Sequence, residues 1–150
     1  MTAIILAAGY ATRMYPLTLN FPKPLLEISR KRIIDWLLDD LESSGVERTV
    51  VVSNHKFIDQ FEAWGKERND VTVLDDGSED NDHRLGAVKD IDFAIEKAHI
   101  NDDIVVLAGD NVLDFSLSSF IEYGRKKNAS CIMRHEEKDI NKLRKTGVIV

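Results

Sequence analysis

Hydrophobic and polar positions alternate in blocks along the chain, and these blocks predict strands and helices in turn. Short continuous apolar runs are typical of strands that are buried on both faces of a parallel sheet. They predict five strands and the start of a sixth. The runs are Thr2–Ala7, Thr49–Val52, Val71–Leu74, Ile104–Leu107, Ser130–Met133 and Gly147–Val150.

Between these runs, apolar residues recur every three or four positions, which predicts amphipathic helices. The clearest helix holds Ile33, Ile34, Leu37, Leu38 and Leu41, and Gly45 follows it as a C-terminal glycine. Further helices are predicted around Phe57–Trp64, over Gly86–Ala98, and from an N-cap at Ser116 to about Lys127. Strands that alternate with such helices indicate an α/β protein, a three-layer Rossmann-like fold with a mostly parallel sheet.

The overall charge narrows the partners that the chain can bind. Its 150 residues suit one domain, and 26 acidic against 20 basic side chains give a formal net charge of −6. Nucleic acids and anionic membranes bind to basic faces, so we expect neither as a partner. No apolar run approaches the roughly 18 residues of a membrane helix, and no signal peptide is recognisable. We therefore expect cytoplasmic residence, and a homo-oligomer stays possible.

We expect several other residues to have structural rather than catalytic or binding roles. Cys131 is the only cysteine, and its apolar neighbours predict a buried structural thiol. Trp36 and Trp64 fall within predicted helices and are interpreted as packing residues. The acidic loop 75–84 is interpreted as a solvated surface and as the least ordered part of the chain.

The loop after the first predicted strand combines small residues, cations and every proline of the chain. Ala7, Ala8 and Gly9 let a flat or phosphorylated ligand approach the backbone. Arg13 offers a planar fork and Lys23 a point charge for phosphate. Because prolines flank Lys23 on both sides, its backbone is confined, as suits a cation that must meet a reacting phosphate. The alternative is a surface loop with two solvated cations.

A second loop, after the strand Ile104–Leu107, carries one carboxylate that follows a glycine, Gly109-Asp110. Mg²⁺ needs only one or two protein carboxylates when substrate phosphates complete its coordination. Asp110 is therefore a candidate magnesium ligand, with Asn111 and Asp114 as weaker candidates for its support. The alternative is a turn aspartate that caps the next segment. Ligands of α/β sheets bind outside the carboxyl ends of the strands, where both loops are expected.

These two loops resemble the signature of the nucleoside-triphosphate sugar-1-phosphate nucleotidyltransferases, among them the glucose-1-phosphate thymidylyltransferases. The matching segments are Leu6-Ala7-Ala8-Gly9, Thr12-Arg13, Pro16-Leu17-Thr18, Pro22-Lys23-Pro24-Leu25-Leu26 and Gly109-Asp110. One position departs from the pattern. Tyr10 stands where many members have a second glycine, and we expect it to narrow the space beside the nucleotide.

The resemblance implies transfer of a nucleoside monophosphate from a nucleoside triphosphate to a sugar-1-phosphate, with release of pyrophosphate and with Mg²⁺ as the cofactor. It assigns catalysis to Arg13 and Lys23 and the metal to Asp110. It assigns nucleotide binding to Leu6, Ala7, Ala8, Gly9, Thr12 and, beside base and sugar, Gly86. The base stays open, because the segment before Gly86 lacks the glutamine that reads it in the thymidylyltransferases.

The resembled family continues beyond residue 150, and this chain ends in an apolar run without a polar cap. We therefore expect residues 1–150 to be the N-terminal nucleotide-binding domain of such an enzyme, truncated at its C-terminus, with the acceptor pocket outside it. Two other functions stay open. One is cytidylyl transfer to phosphocholine or another non-sugar phosphate, and the other is a non-catalytic nucleotide-binding module.

Overall fold

A parallel four-stranded sheet forms the centre of the protein in a computed structural model, which describes residues 1–134 and 136–143. Its strands are β1 (Thr2–Leu6), β4 (Arg48–Ser53), β5 (Val71–Asp75) and β6 (Ile104–Ala108). A separate antiparallel pair consists of β2 (Glu27–Ile28) and β3 (Lys31–Arg32). The helices are α1 (Ile33–Ser43), α2 (Ile58–Gly65), α3 (Ala87–Lys97), α4 (Leu117–Lys127) and the short α5 (Ile140–Leu143).

Helices cover both faces of the sheet because both sets of side chains on β1 are apolar. Ile5 packs into a cluster with residues of α1, α2 and α4, whereas Ile4 packs on the opposite face with Ala94 of α3. Ile4 and Ile5 are fully buried, and burying one such side chain stabilises the fold by about 1.5–3 kcal/mol. The predicted three-layer α/β fold is confirmed.

The helix ends follow the predicted signals. Gly45, just beyond α1, has a φ of 75°, a left-handed conformation that glycine adopts without steric cost. At the start of α4, the Ser116 hydroxyl accepts a hydrogen bond from the backbone N–H of Ser118 at 3.2 Å. Local sequence chemistry therefore determines where these two helices stop and start.

The strand order β5-β4-β1-β6 reverses direction at β1. The chain runs outward from β1 to β4 and β5, and β6 then returns to the other side of β1. Leu6, at the end of β1, lies in register with Val52 of β4 and Ala108 of β6. This reversal separates the loops that follow β1 and β6 and opens a crevice between them, as is typical of α/β sheets.

Some predicted elements are wrong. Residues 130–133 form no strand but an unpaired segment, in which the Cys131 thiol is half-buried and not in the core. The strand β6 is not buried on both faces, because it lies at the edge of the described sheet and exposes Ile104 and Val106. The predicted strand Gly147–Val150 lies outside the described residues.

The two tryptophans differ. Trp64 is buried in the core, as predicted, whereas Trp36 is 40% exposed and so is not a core packing residue. The Trp36 indole N–H donates to the carbonyl of Ile28 at 3.4 Å, and the Lys31 ammonium lies 4.5 Å from its ring centre. Trp36 therefore anchors the β2–β3 pair to α1. Within the described part of the chain, no helix is long and apolar enough to cross a membrane.

Candidate nucleotide-binding site

A cleft of about 530 Å³ opens at the carboxyl ends of β1 and β6. Residues separated by about 100 positions in the sequence meet in its wall. Every predicted site residue lines it, namely Leu6, Ala7, Ala8, Gly9, Thr12, Arg13, Lys23, Gly86 and Asp110. The weaker candidate Asp114 lies elsewhere, in a groove beside Trp36, and Asn111 does not line the cleft.

Lys23 and Asp110 join the two motif-bearing loops. The Lys23 ammonium donates to Asp110 Oδ2 at 2.8 Å, and the two side chains are 27% and 45% exposed. Lys23 begins a 3₁₀ turn, Lys23–Leu25, with Pro22 before it and Pro24 within it, and Leu25 is anchored in the core. The backbone of Lys23 is therefore fixed, and both charges remain accessible to a ligand from the cleft.

Arg13 is the free cation of the cleft. It lies in a 3₁₀ turn, Thr12–Met14, and is exposed, with no hydrogen bond or ion pair to any described residue. The Thr18 hydroxyl, fully buried, donates to the carbonyl of Ala11 at 2.8 Å and holds this turn. A guanidinium with no internal partner on a tethered turn suits capture of an anionic ligand.

Asn54 fixes the small-residue loop and was not anticipated from the sequence. Its side chain is fully buried at the end of β4. The amide N–H donates to the carbonyl of Ala8 at 3.0 Å, and its oxygen accepts from the backbone N–H of Phe57 at 3.1 Å. Asn54 thus forms hydrogen bonds with the backbone of Ala8 and of Phe57, so it positions the backbone that would face a nucleotide.

Tyr10 lines the cleft, but most of its side chain is buried. The side chain is 4% exposed and its ring lies 6.3 Å from that of Phe57, measured between centres. Its hydroxyl donates to the carbonyl of Ser78 at 2.8 Å, and burial raises the pKa of the phenol. The Tyr10 hydroxyl therefore joins the loop after β1 to the acidic loop, a contact that glycine could not make.

The same contacts revise the expectation for the loop 75–84. Ser78 is buried, and both its backbone N–H and its hydroxyl donate to Asp76 Oδ1 at 2.7 Å. The Ser78 carbonyl also accepts from the backbone N–H of His55 at 2.9 Å. Glu79 and Asp80 are solvated as predicted, but the start of the loop is fixed to the core.

Asp90, in the first turn of α3, is a cleft residue that sequence reasoning missed. It is 5% exposed and lines the cleft, and its Oδ1 is buried without a hydrogen-bond partner. Burial, with a smaller contribution from the Asp76 carboxylate, raises its pKa from 3.8 to about 6. The apolar spacing of α3 gave no signal, because it does not show that an aspartate lies on the inward face.

The donor set of the cleft fits one kind of metal ion. The described residues contain no cluster of three or more acidic, histidine or cysteine side chains that could hold a metal. A single accessible carboxylate, Asp110, lines the cleft together with three cations, Arg13, Lys23 and Arg84. This arrangement suits Mg²⁺, which binds through one or two carboxylates together with substrate phosphates, and not an ion that needs an all-protein site.

The fold and the cleft define an α/β protein with a ligand crevice at its topological reversal. A family model described as "Nucleotidyl transferase" matches residues 2–150. The chain therefore belongs to the nucleotidyl transferase family.

Relatives agree with this membership. UTP–glucose-1-phosphate uridylyltransferase AglF of Haloferax volcanii is 29% identical over 153 residues, which cover 100% of this chain and 60% of the relative. N-acetylmuramate alpha-1-phosphate uridylyltransferase of Caulobacter vibrioides is 51% identical over 61 residues, which cover 41% of this chain and 25% of the relative. The matches thus span less than two thirds of the length of these relatives.

The fold also occurs in solved structures. A Bacillus anthracis protein provisionally assigned as a glucose-1-phosphate thymidylyltransferase superimposes with a TM-score of 0.70 and 21% identity. The match covers 84% of this chain and 51% of that protein. At this identity the likeness confirms the nucleotidyltransferase Rossmann-like fold, and it carries no information about the substrate.

Proposed function

We propose that this chain supplies the nucleotide-binding part of a sugar-1-phosphate nucleotidyltransferase. The contact between Lys23 and Asp110 carries the proposal, because it joins the two family motifs across one cleft at 2.8 Å. The names of the relatives favour a sugar-1-phosphate as the acceptor over phosphocholine or another non-sugar phosphate. Cytoplasmic residence and a homo-oligomeric state stay predictions.

In the proposed reaction, an oxygen of the sugar-1-phosphate attacks the α-phosphorus of a nucleoside triphosphate. A new P–O bond forms there, the bond between the α-phosphorus and the bridging oxygen breaks, and its electron pair leaves with pyrophosphate. No protein nucleophile is needed, so catalysis depends on positioning and on neutralising charge. Arg13 binds the departing phosphates and Lys23 the α-phosphate.

Asp110 would hold Mg²⁺ in this proposal. The ion, when bound, neutralises phosphate charge. The Lys23 ammonium, which contacts Asp110 in the structure, would bind the α-phosphate. The small-residue backbone of Ala8 and Gly9, held by Asn54, orients the nucleoside.

Pyrophosphate release tests the function. A full-length enzyme that contains this chain is incubated with each nucleoside triphosphate, Mg²⁺ and a panel of acceptors that includes glucose-1-phosphate, mannose-1-phosphate and phosphocholine. We expect release only with a sugar-1-phosphate, and a loss of at least 100-fold in Arg13→Ala and Asp110→Ala. Wild-type rates in either variant would refute the assigned roles.

Calorimetry distinguishes the enzyme from the non-catalytic module. Binding of a magnesium nucleoside triphosphate without turnover on any acceptor would support a binding module. Release with phosphocholine alone would support the non-sugar alternative.

A further inference from the structure

Asp90 is a buried carboxylate that lines the cleft and has no hydrogen-bond partner among the described residues. Its Oδ1 has no hydrogen-bond partner, and no described residue donates a hydrogen bond to either oxygen. A buried polar group without a partner costs free energy in the folded protein. Asp90 has no role in the proposed nucleotidyl transfer. A ligand that donates hydrogen bonds would supply what the protein lacks.

The position of Asp90 separates it from the phosphate-binding cations. Lys23 shares a 3₁₀ turn with Leu25, which packs with the cluster on the α1 face of the sheet. Asp90 lies next to Ile91, which packs with Ala8 on the α3 face. The cleft lined by Lys23 and Asp90 therefore reaches both sides of β1.

Charge places the two ends of a nucleotide in this cleft. The triphosphate matches the end with Arg13 and Lys23, and a buried carboxylate would repel it. Arg84 is exposed at the same cleft, but its guanidinium donates to Asn81 Oδ1 at 3.1 Å and makes no ion pair with Asp90. The end with Asp90 also offers the small surfaces of Ala8 and Ala87, which suit a flat base.

The chemistry of a carboxylate selects among the bases. An ionised carboxylate only accepts hydrogen bonds, through two oxygens. Guanine presents two adjacent donors, N1–H and the 2-amino group. Uracil and thymine present one N–H between two carbonyl oxygens, which a carboxylate repels. Adenine and cytosine present one amino group beside a nitrogen acceptor.

We propose that Asp90 is a specificity-determining residue that accepts hydrogen bonds from N1–H and the 2-amino group of guanine. The inference rests on the proposed function, because it assumes that the cleft binds a nucleoside triphosphate. The raised pKa of about 6 agrees with a desolvated carboxyl. At pH 7.5 that carboxyl is mostly ionised and acts as an acceptor.

Binding of nucleotides to the chain tests the inference. Magnesium complexes of GTP, ITP, UTP, CTP, ATP and dTTP are titrated by calorimetry at pH 7.5. ITP is the matched probe, because it lacks only the 2-amino group of GTP. We expect GTP to bind at least tenfold more tightly than ITP and each of the other nucleotides.

Asp90→Asn keeps the size of the side chain and replaces one acceptor by an N–H donor. We expect its affinity for GTP to fall at least tenfold. Its affinity for XTP should rise relative to that of the wild type, because xanthine carries a carbonyl where guanine has the 2-amino group. Asp92→Asn, an exposed position on the same helix, should change neither affinity.

Each contrary outcome has a distinct meaning. Tightest binding of UTP or dTTP would overturn the assignment to guanine. An equal loss for all nucleotides in Asp90→Asn, without a gain for XTP, would indicate a role towards ribose or in structure, and would also overturn it. Equal affinity of all nucleotides refutes this inference and leaves the proposed function standing. No binding of any nucleotide refutes both.

Discussion

The carboxyl of Asp90 makes the stability of the fold depend on pH. Its pKa is about 6 in the folded protein against an ordinary 3.8, so the folded state takes up this proton more readily than the unfolded state does. The contribution of this proton to stability is complete below about pH 4 and is lost as the pH rises through 6. At pH 7.5 the buried charge costs roughly 2–3 kcal/mol relative to a neutral side chain.

Asp90→Asn removes this cost. We expect the variant to gain roughly 2–3 kcal/mol over the wild type between pH 4 and pH 7.5. Urea unfolding at a series of pH values measures the gain. Asp92→Asn, on the exposed side of α3, is the matched control for loss of a carboxylate. A difference for Asp90→Asn that does not change with pH would contradict the burial of its charge.

At the residue scale, the sequence predicts those cleft residues that belong to a recognisable motif. Residues Leu6 to Gly9, together with Arg13, Lys23 and Asp110, line one cleft, as the two motifs indicated. Asn54 and Asp90 were missed for the same physical reason. Their roles depend on which residues burial brings next to them, and a lone polar residue at a strand end or in a helix carries no such information.

At the scale of elements, Asp40 of α1 caps a different helix, α4. Its Oδ2 accepts from the backbone N–H of Leu117 at 2.8 Å, and its Oδ1 accepts from the Ser116 hydroxyl at 2.9 Å. The first N–H groups of a helix have no partner inside the helix, and the helix dipole favours a negative charge there. Asp40 therefore joins the two helices that cover the same face of the sheet.

Asp40→Ala should destabilise the fold by about 1–3 kcal/mol, because it leaves the backbone N–H of Leu117 at the N-terminus of α4 without its acceptor. Asp39→Ala is the matched control on the same helix. Asp39 is exposed and pairs with Lys31 at the surface, so its removal should cost at most about 1 kcal/mol. Chemical denaturation of both variants measures the difference. Equal losses would show that the contact between α1 and α4 contributes nothing.

Periodicity predicts elements well where both faces of the sheet are covered, and poorly at its edge. The strands β1, β4 and β5 and the helices α1 to α4 lie where the pattern put them, within two residues at most ends. The segment 130–133 has the composition of a strand but no neighbour to pair with among the described residues. Apolar composition alone predicts a strand, and pairing is a property of the tertiary structure.

At the scale of the whole molecule, the order of the strands creates the site. Lys23 and Asp110 are 87 positions apart and meet because β6 returns beside β1. Gly109 makes this approach possible. Its N–H donates to the carbonyl of Leu6 at 2.8 Å, and a Cβ at Gly109 would lie 3.2 Å from that oxygen and 3.0 Å from Ile5 Cγ2. The glycine is therefore required by the close contact of two strand ends.

Gly109→Ala should push the end of β6 away from β1 and move Asp110 relative to Lys23. We expect a loss of about 1–3 kcal/mol in the free energy of unfolding, and affinity for a magnesium nucleoside triphosphate at least tenfold lower. Gly124→Ala, in α4 with open space around its Cα, should instead stabilise the helix by about 0.5–1 kcal/mol and leave binding unchanged.

A double-mutant cycle separates positioning from general damage to the fold. If Gly109 acts through Asp110, adding Gly109→Ala to Asp110→Asn should weaken nucleotide binding little further, since the carboxylate that the glycine positions is already gone. Calorimetry on the wild type, both single variants and the double variant measures this coupling. Fully additive losses would mean that the glycine affects binding independently of Asp110, and that the close approach of β1 and β6 does not position the carboxylate.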